Sequence, residues 1–329
     1  MTQECIINIF ITGGSGFLGQ RLIHRLRQED HAVTALSRSP ASDKLLQQLG
    51  ARTVSGSLDS VAEWAPALAH QDVVIHAASP IEVWGEWEVF DRDITRASAN
   101  VYQACVQAKV RRFIYISSES VVQDKSPLLD IDESFPYPME PNSYYGKAKM
   151  QVEQALLTSG APVERIILRP TFIWGQGGTQ LDKVIDKVRA KQFMWVDRGD
   201  VTMEMVHVDN VVEAVRLALT QGRPQQVYWV TDDHPMPARE FLGALIKARG
   251  VPVPTASVPS SLVRPLACIV ESLWRLLGIR SVPPLSRFQL DFIALPRRYD
   301  IAKIKRDMGY QPVRSFEQGI VEMGGQAQS

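Results

Sequence analysis

Tyr145 and Lys149 stand four residues apart in the run YYGKAK. At the start of a helix that spacing places both side chains on one face. A phenol with a pKa near ~10 is a poor acid or base at neutral pH. A neighbouring ammonium favours the phenolate and lowers that value. The pair can then exchange a proton with a carbonyl or alcohol while a nicotinamide exchanges hydride. Taken alone, Tyr-x-x-x-Lys is ordinary on a surface helix, and two further segments decide the reading. One is FIYISSES, residues 113–120, an apolar strand ending in two hydroxyls. Ser118, with Ser117 as the close alternative, is placed there to donate to a substrate oxygen beside Tyr145. The other is TGGSGFLG, residues 12–19, directly after the apolar run at residues 6–11.

That second segment reads as strand, glycine turn and helix, the arrangement that holds a dinucleotide. Gly13 permits the tight turn, Gly16 removes a side chain where a pyrophosphate approaches, and Gly19 lets the helix pack on the strand. The helix that follows is amphipathic, with Phe17, Leu18, Leu22 and Leu26 on one side and Arg21, Arg25 and Gln28 on the other. The free N–H groups of its first turn and its dipole face the phosphates.

The elements that must position these residues alternate. Strands are expected at residues 6–11, 33–36, 52–54, 73–76, 113–117, 165–168 and 227–230. Helices are expected at 98–108, 147–157, 208–219 and 238–248. Alternating strand and helix with nearly continuous apolar strands means α/β: a doubly wound parallel sheet covered on both faces. Its ligands bind at the carboxyl ends of the strands, where all these motifs fall. The expected division is a Rossmann core of residues 1–170 and 206–232 and a smaller mixed substrate lobe of residues 171–205 and 233–329. Residues 261–279 are apolar around much of a helix, interrupted by Arg264, Pro265, Glu271 and Arg275. They read as a lobe helix packed on the core, with a membrane-surface helix as the alternative. Residues 324–329 read as disordered.

Composition narrows the class. The chain has 329 residues, 45% of them hydrophobic, with 36 basic and 36 acidic side chains. That suffices for a large core, and nothing in the balance suggests a nucleic-acid partner, which usually needs a basic face. Cys5, Cys105 and Cys268 have no metal-ligand spacing and read as reduced core residues of a cytoplasmic protein. The six histidines show no metal spacing either, so no metal is expected. There is no targeting segment pattern at the N-terminus and no run of ~18 uncharged apolar residues.

With these motifs together, the chain resembles the extended short-chain dehydrogenase/reductases, the superfamily of nucleotide-sugar epimerases and 3β-hydroxysteroid dehydrogenases. TGGSGFLG is similar to the family's TGxxGxxG, and VIHAA at 74–78 to the segment lining the cofactor. FIYISSESV carries the serine and YYGKAK the Tyr/Lys pair. LRPTFIWGQGG at 168–178 is similar to LRPxxxYGPGD, and VHVDNV at 206–211 and MGYQP at 308–312 to the C-terminal signatures. The resemblance implies Ser118, Tyr145 and Lys149 as catalytic residues, Lys149 also bonding the nicotinamide ribose. It implies Gly13, Gly16, Phe17 and Leu18 at the pyrophosphate, Ala77, Ala78 and Pro170 beside the nicotinamide, and a homodimer. Two positions depart from the family. Ile94 falls where the asparagine of its NVxGT pattern belongs, which counts against a water-linked relay from Lys149. Ser57-Leu58 replaces the usual Asp-Leu, so the adenine contact is altered.

The end of the second strand chooses between cofactors. An acidic residue there would bond the ribose 2′-hydroxyl of NAD, but the chain reads Leu36-Ser37-Arg38-Ser39. With no carboxylate to repel a 2′-phosphate and Arg38 available to bind one, NADP(H) is preferred, NAD(H) being the alternative. Large apolar groups (the segment 84–87, Phe172, Trp174, Phe193, Trp195, Trp274) point to a lipophilic small-molecule substrate, as in the 3β-hydroxysteroid dehydrogenase branch. A nucleotide-sugar epimerase and a non-catalytic dinucleotide sensor are the competing readings. Peripheral membrane contact is compatible with the first of the three.

Overall fold

The computed structural model describes residues 6–80, 84–279 and 281–324. Its centre is a seven-stranded sheet. The strands are β1 (Asn8–Thr12), β2 (Ala32–Ser37), β3 (Arg52–Ser55), β4 (Val73–His76), β5 (Arg112–Ile116), β6 (Glu164–Pro170) and β7 (Gln226–Val230), in the spatial order β7-β6-β5-β4-β1-β2-β3. Every neighbouring pair is parallel. The strands are apolar along nearly their whole length because both faces are covered, one by the cluster around Ile9, Ile11, Leu22 and Trp229, the other by that around Phe10, Trp64, Phe113 and Ile167. The chain leaves β1 towards β2 and β3, then returns to place β4 on the other side of β1. The crevice between β1 and β4 is therefore the switch point at which such sheets bind ligands.

All seven expected strands form, with ends moved by one or two residues. The helix expected at 147–157 starts earlier and spans Tyr144–Thr158, because Ser143 caps it and its Oγ accepts the Gly146 N–H at 3.0 Å. Tyr145 consequently lies in the first helical turn. Five helices matter below: α1 (Phe17–Gln28), α2 (Ala97–Gln107), α3 (Tyr144–Thr158), α4 (Val208–Ala218) and α5 (Ser260–Leu276).

Beyond β6 the chain builds smaller apolar clusters. Trp174, Met203, Met205, Phe241 and Leu245 form one, and Ile185, Trp195 and Ile246 another. The indole N–H groups of Trp174 and Trp195 donate to Asp232 and to the Pro254 carbonyl, and both rings are buried. These two tryptophans are lobe core rather than pocket wall. Helix α5 departs from the core-packing expectation: only Ala267 and Glu271 along it are buried, and its leucines face outward. Cys105 is buried as expected, but Cys268 is exposed on α5, since that helix offers its partner too narrow a face to cover it. Cys5 and residues 325–329 lie outside the described residues, while Gly324 closes the helix Phe316–Gly324. No described helix is long and apolar enough to cross a membrane.

Candidate active site

The glycine turn is fixed by contacts that only glycine allows. Gly13 has φ +78°, and a Cβ on it would stand 2.6 Å from the Ala78 nitrogen. A Cβ on Gly19 would come within 2.1 Å of the Gly13 carbonyl oxygen, so α1 could not lie where it does. Gly16 differs: its Cβ would meet nothing nearer than the Gly13 oxygen at 3.3 Å. Gly16 is the cap residue of α1 and supplies no capping side chain, which leaves the first-turn N–H groups without a side-chain partner. Leu18 packs on the core. The ring of Phe17 lies against Gly177 and Gly178, where a Cβ on Gly178 would touch it at 3.4 Å. Arg21 donates to the Gln176 carbonyl at 3.3 Å from the next turn. The 175–178 loop thus closes over the start of α1.

β4 ends beside this turn. The Ala77 N–H donates to the Thr12 carbonyl, and the Ala78 N–H to Thr12 Oγ1 at 3.4 Å. Thr12 Oγ1 also bonds His76 Nδ1 at 2.6 Å, and His76 Nε2 meets Ser98 on α2 at 3.0 Å. Burial first, and then the Lys149 charge, push the His76 imidazole down to about 3, so it is neutral and structural. Pro170 is buried at the end of β6.

Ser118, Tyr145 and Lys149 come together at the carboxyl edge of β5. Ser118 is half-buried and its Oγ accepts from the Ser120 N–H at 3.2 Å and the Ser120 hydroxyl at 3.0 Å. Ser117 is buried inside the sheet, its N–H tied to the Leu168 carbonyl at 2.8 Å. Of the two serines, Ser118 is the one that faces the cleft. Lys149 is buried, donates to the Ile116 carbonyl at 2.8 Å, and has its Nζ 4.7 Å from the Tyr115 ring centroid and 5.9 Å from that of Tyr145. Burial raises the Tyr145 phenol above its ordinary value, and the Ser79 and Ser118 side chains oppose that rise. Burial thus outweighs the depression by Lys149 that the spacing leads one to expect. Burial holds Lys149 itself at about 7, with Glu153 partly offsetting it, so near neutrality its ammonium is only partly present.

The second strand ends in a short polar turn. Ser37 is buried and its hydroxyl donates to the Ser39 carbonyl at 3.2 Å. Ser39 caps the next helix through the Ser42 N–H at 3.2 Å. Arg38 is exposed between them, and no hydrogen bond or ion pair among the described residues engages it. Ser57 caps the turn Leu58–Ser60, and its carbonyl accepts the Trp64 indole N–H at 2.8 Å. Ile94 is buried in the apolar cluster beneath α2 and offers no relay group.

Sequence reasoning missed several supports. Glu153, one turn beyond Lys149, is fully buried and paired with Arg169 at 2.6 Å, and the Tyr137 hydroxyl donates to it at 2.7 Å. An apolar spacing argument passes over such a pair; a buried acid within a Tyr/Lys helix is its only sequence signal. Ser79 was missed because it lies in a loop after the motif. His207, Asp209 and Glu322 bring ligand atoms within 4.8 Å of one another, but Arg21 and Arg314 already pair with the two carboxylates.

A sheet with this switch point, a glycine turn and a Ser/Tyr/Lys cluster at its carboxyl edge define a nicotinamide-dependent class of enzyme. The description "NAD dependent epimerase/dehydratase family" matches residues 9–230, and the chain belongs to that family as a dehydrogenase or reductase of hydroxy and keto groups. The chain is 34% identical over 313 residues to a 4-hydroxy-2-methyl-3-oxo-4-farnesyl-3,4-dihydroquinoline-1-oxide ketoreductase of Stigmatella aurantiaca, covering 94% of each chain. It is 30% identical to a decarboxylating sterol-4-alpha-carboxylate 3-dehydrogenase of Dictyostelium discoideum, covering 96% of this chain and 99% of the other. Among solved structures, that of gox2253 superposes with a TM-score of 0.81 at 23% identity over 98% of both chains, a likeness of fold.

Proposed function

We propose that the protein is an NADP(H)-dependent oxidoreductase that interconverts a carbonyl and an alcohol on a lipophilic substrate. The observation that carries it is the meeting of Ser118, Tyr145 and Lys149 beside Ser79, at the end of the Ala77–Ala78 segment that packs on the glycine turn. The turn fits the cofactor: Gly16 leaves the first-turn amides of α1 without a side-chain partner. Gly13, Gly16, Gly19, Phe17 and Leu18 would hold its pyrophosphate, Ser57 and Leu58 its adenine, and Ala77, Ala78 and Pro170 the nicotinamide side. Ser37 and Arg38 would take the 2′-phosphate. When bound, the nicotinamide supplies or accepts the hydride.

The chain's own residues handle the proton. Ser118 donates a hydrogen bond to the substrate oxygen and orients it. Tyr145 gives its phenolic proton to that oxygen in reduction and takes it back in oxidation. Lys149, held by the Ile116 carbonyl, fixes the cofactor ribose and supplies positive charge as the phenolate forms. The core at 1–170 and 206–232 would bind the cofactor and the rest the substrate, in a cytoplasmic homodimer. Two relatives whose names specify a farnesyl quinoline and a sterol support a lipophilic substrate.

The test is a titration with NADPH and a homologous series of β-keto esters. KM should fall as the apolar body grows, by roughly 0.8 kcal/mol per buried CH₂, then level off. A flat KM across the series together with tight UDP-sugar binding, or no net turnover of any ketone with tightly held cofactor, would replace this reading with an epimerase.

A further inference from the structure

Helix α5 is amphipathic with its apolar side turned away from the protein. Leu262, Leu266, Ile269, Leu273, Leu276 and Leu277 are between 47% and 82% exposed. At 3.6 residues per turn they fall within an arc of about 100°, and no charged residue shares that arc. Arg264, Glu271 and Arg275 lie on the opposite side. There Arg264 pairs with Asp291, and Glu271 with Arg275 and Arg287. An ordinary surface helix has the reverse arrangement, so this apolar stripe is built to be covered.

We propose that α5 docks the protein on a lipid bilayer, lying in the interface with its leucine stripe inserted. Charge fits that occupant: residues 260–291 carry four arginines against Glu271 and Asp291, in a chain whose net charge is zero. A segment with that basic excess suits an anionic membrane surface. Size argues against a second copy of the chain. The stripe is one helix wide and about 22 Å long, and six side chains fall well short of the 20–30 residues a side of a stable interface, roughly 800 Å² per partner. The helix also adjoins the cleft. The Arg275 guanidinium stacks on Trp84 at 4.7 Å and on Tyr144, the neighbour of Tyr145, at 5.2 Å. A substrate dissolved in the bilayer would therefore meet the mouth of the site at the membrane surface. That consequence rests on the proposed function; the docking does not.

Flotation of the full chain with vesicles tests it. Vesicles of phosphatidylcholine with about one third phosphatidylglycerol should carry the protein upward, and phosphatidylcholine alone should carry less. The double variant Leu266→Glu/Leu273→Glu should lose at least about tenfold in partitioning. Its melting curve and its turnover of a short, water-soluble ketone should match wild type. Wild-type protein that stays at the bottom of the gradient overturns the proposal, as does a variant that floats equally well. A wild-type dimer that the double substitution splits, with no flotation, assigns the stripe to a second copy instead. Because flotation is read without turnover, a failed activity assay leaves its result standing.

Discussion

At the scale of single residues, the cluster gives each side chain a distinct failure. Tyr145→Phe removes the transferable proton and little else, so turnover should fall by about 10²–10⁴-fold with NADPH affinity unchanged. Turnover near wild type would sink the assignment of Tyr145. Arg38→Asp places a negative charge where a 2′-phosphate would sit. A charge-assisted hydrogen bond contributes about 1.5–3 kcal/mol, so NADPH affinity should drop about tenfold or more while NADH affinity barely moves. Titrating both cofactors into both proteins checks it, and tighter NADH than NADPH binding by wild type would reverse the cofactor choice. Lys149 couples function to stability. Its folded value of about 7 lies below the 10.5 of an unfolded lysine, so the unfolded chain binds more protons in that window. Stability therefore rises with pH between those values, and the penalty is complete below about 7. Lys149→Met should abolish turnover yet raise the melting temperature at pH 7, a combination that loss of a merely structural lysine would not produce.

At the scale of elements, the active-site geometry depends on how closely α3 approaches the chain after β5. A Cβ on Gly146 would stand 2.4 Å from the Ser120 carbonyl oxygen, a backbone atom that cannot swing away. Gly146→Ala should push α3 off the Ser118 turn, lowering turnover by tenfold or more and destabilising by about 1–3 kcal/mol as an overpacking change. Unaltered kinetics in a folded variant would show that the approach carries no function. The sequence made the frame legible for a physical reason: strands buried on both faces must be apolar throughout, and the glycines and the Tyr/Lys pair have fixed spacing. It could not show which face of α5 turns inward. A helix with leucines on one side and arginines on the other reads the same whether protein or something else covers the leucines. Nor could it show that Trp174 and Trp195 fill the lobe core, because contacts between distant segments decide that. The Glu153–Arg169 pair was hidden likewise, since its partners come from α3 and β6.

At the scale of the whole molecule, buried ionisable groups tie the lobe to the sheet and set its response to pH. Glu204 accepts from Thr231 Oγ1 at 2.8 Å and from the Tyr299 N–H at 2.8 Å. The Tyr299 hydroxyl donates to Glu119, next to Ser118, at 2.6 Å. Tyr299 thus links Glu119 in the catalytic turn to Glu204, and the end of β7 is tied to the C-terminal segment by the Glu204 carboxylate. Burial pushes it up to about 7 from 4.5. Between those values the folded chain holds the proton more firmly than the unfolded one, so stability falls as pH rises through this window, and the loss is complete above about 7. His76 has the opposite sign: folded at about 3 against 6.5, it costs stability as pH falls through that interval. Glu204→Gln keeps an acceptor for the Tyr299 N–H, meets Thr231 Oγ1 with an amide N–H so that this bond reverses direction, and removes the charge. At one pH unit per 1.36 kcal/mol, the variant should gain up to about 3 kcal/mol at pH 8, which is several degrees in melting temperature. At pH 4.5 the two proteins should melt together, and His76 should leave the acid limb of both curves unchanged. Melting curves from pH 4 to 9 decide it: a variant less stable than wild type at pH 8 would mean that the Glu204 hydrogen bonds outweigh the burial of its charge.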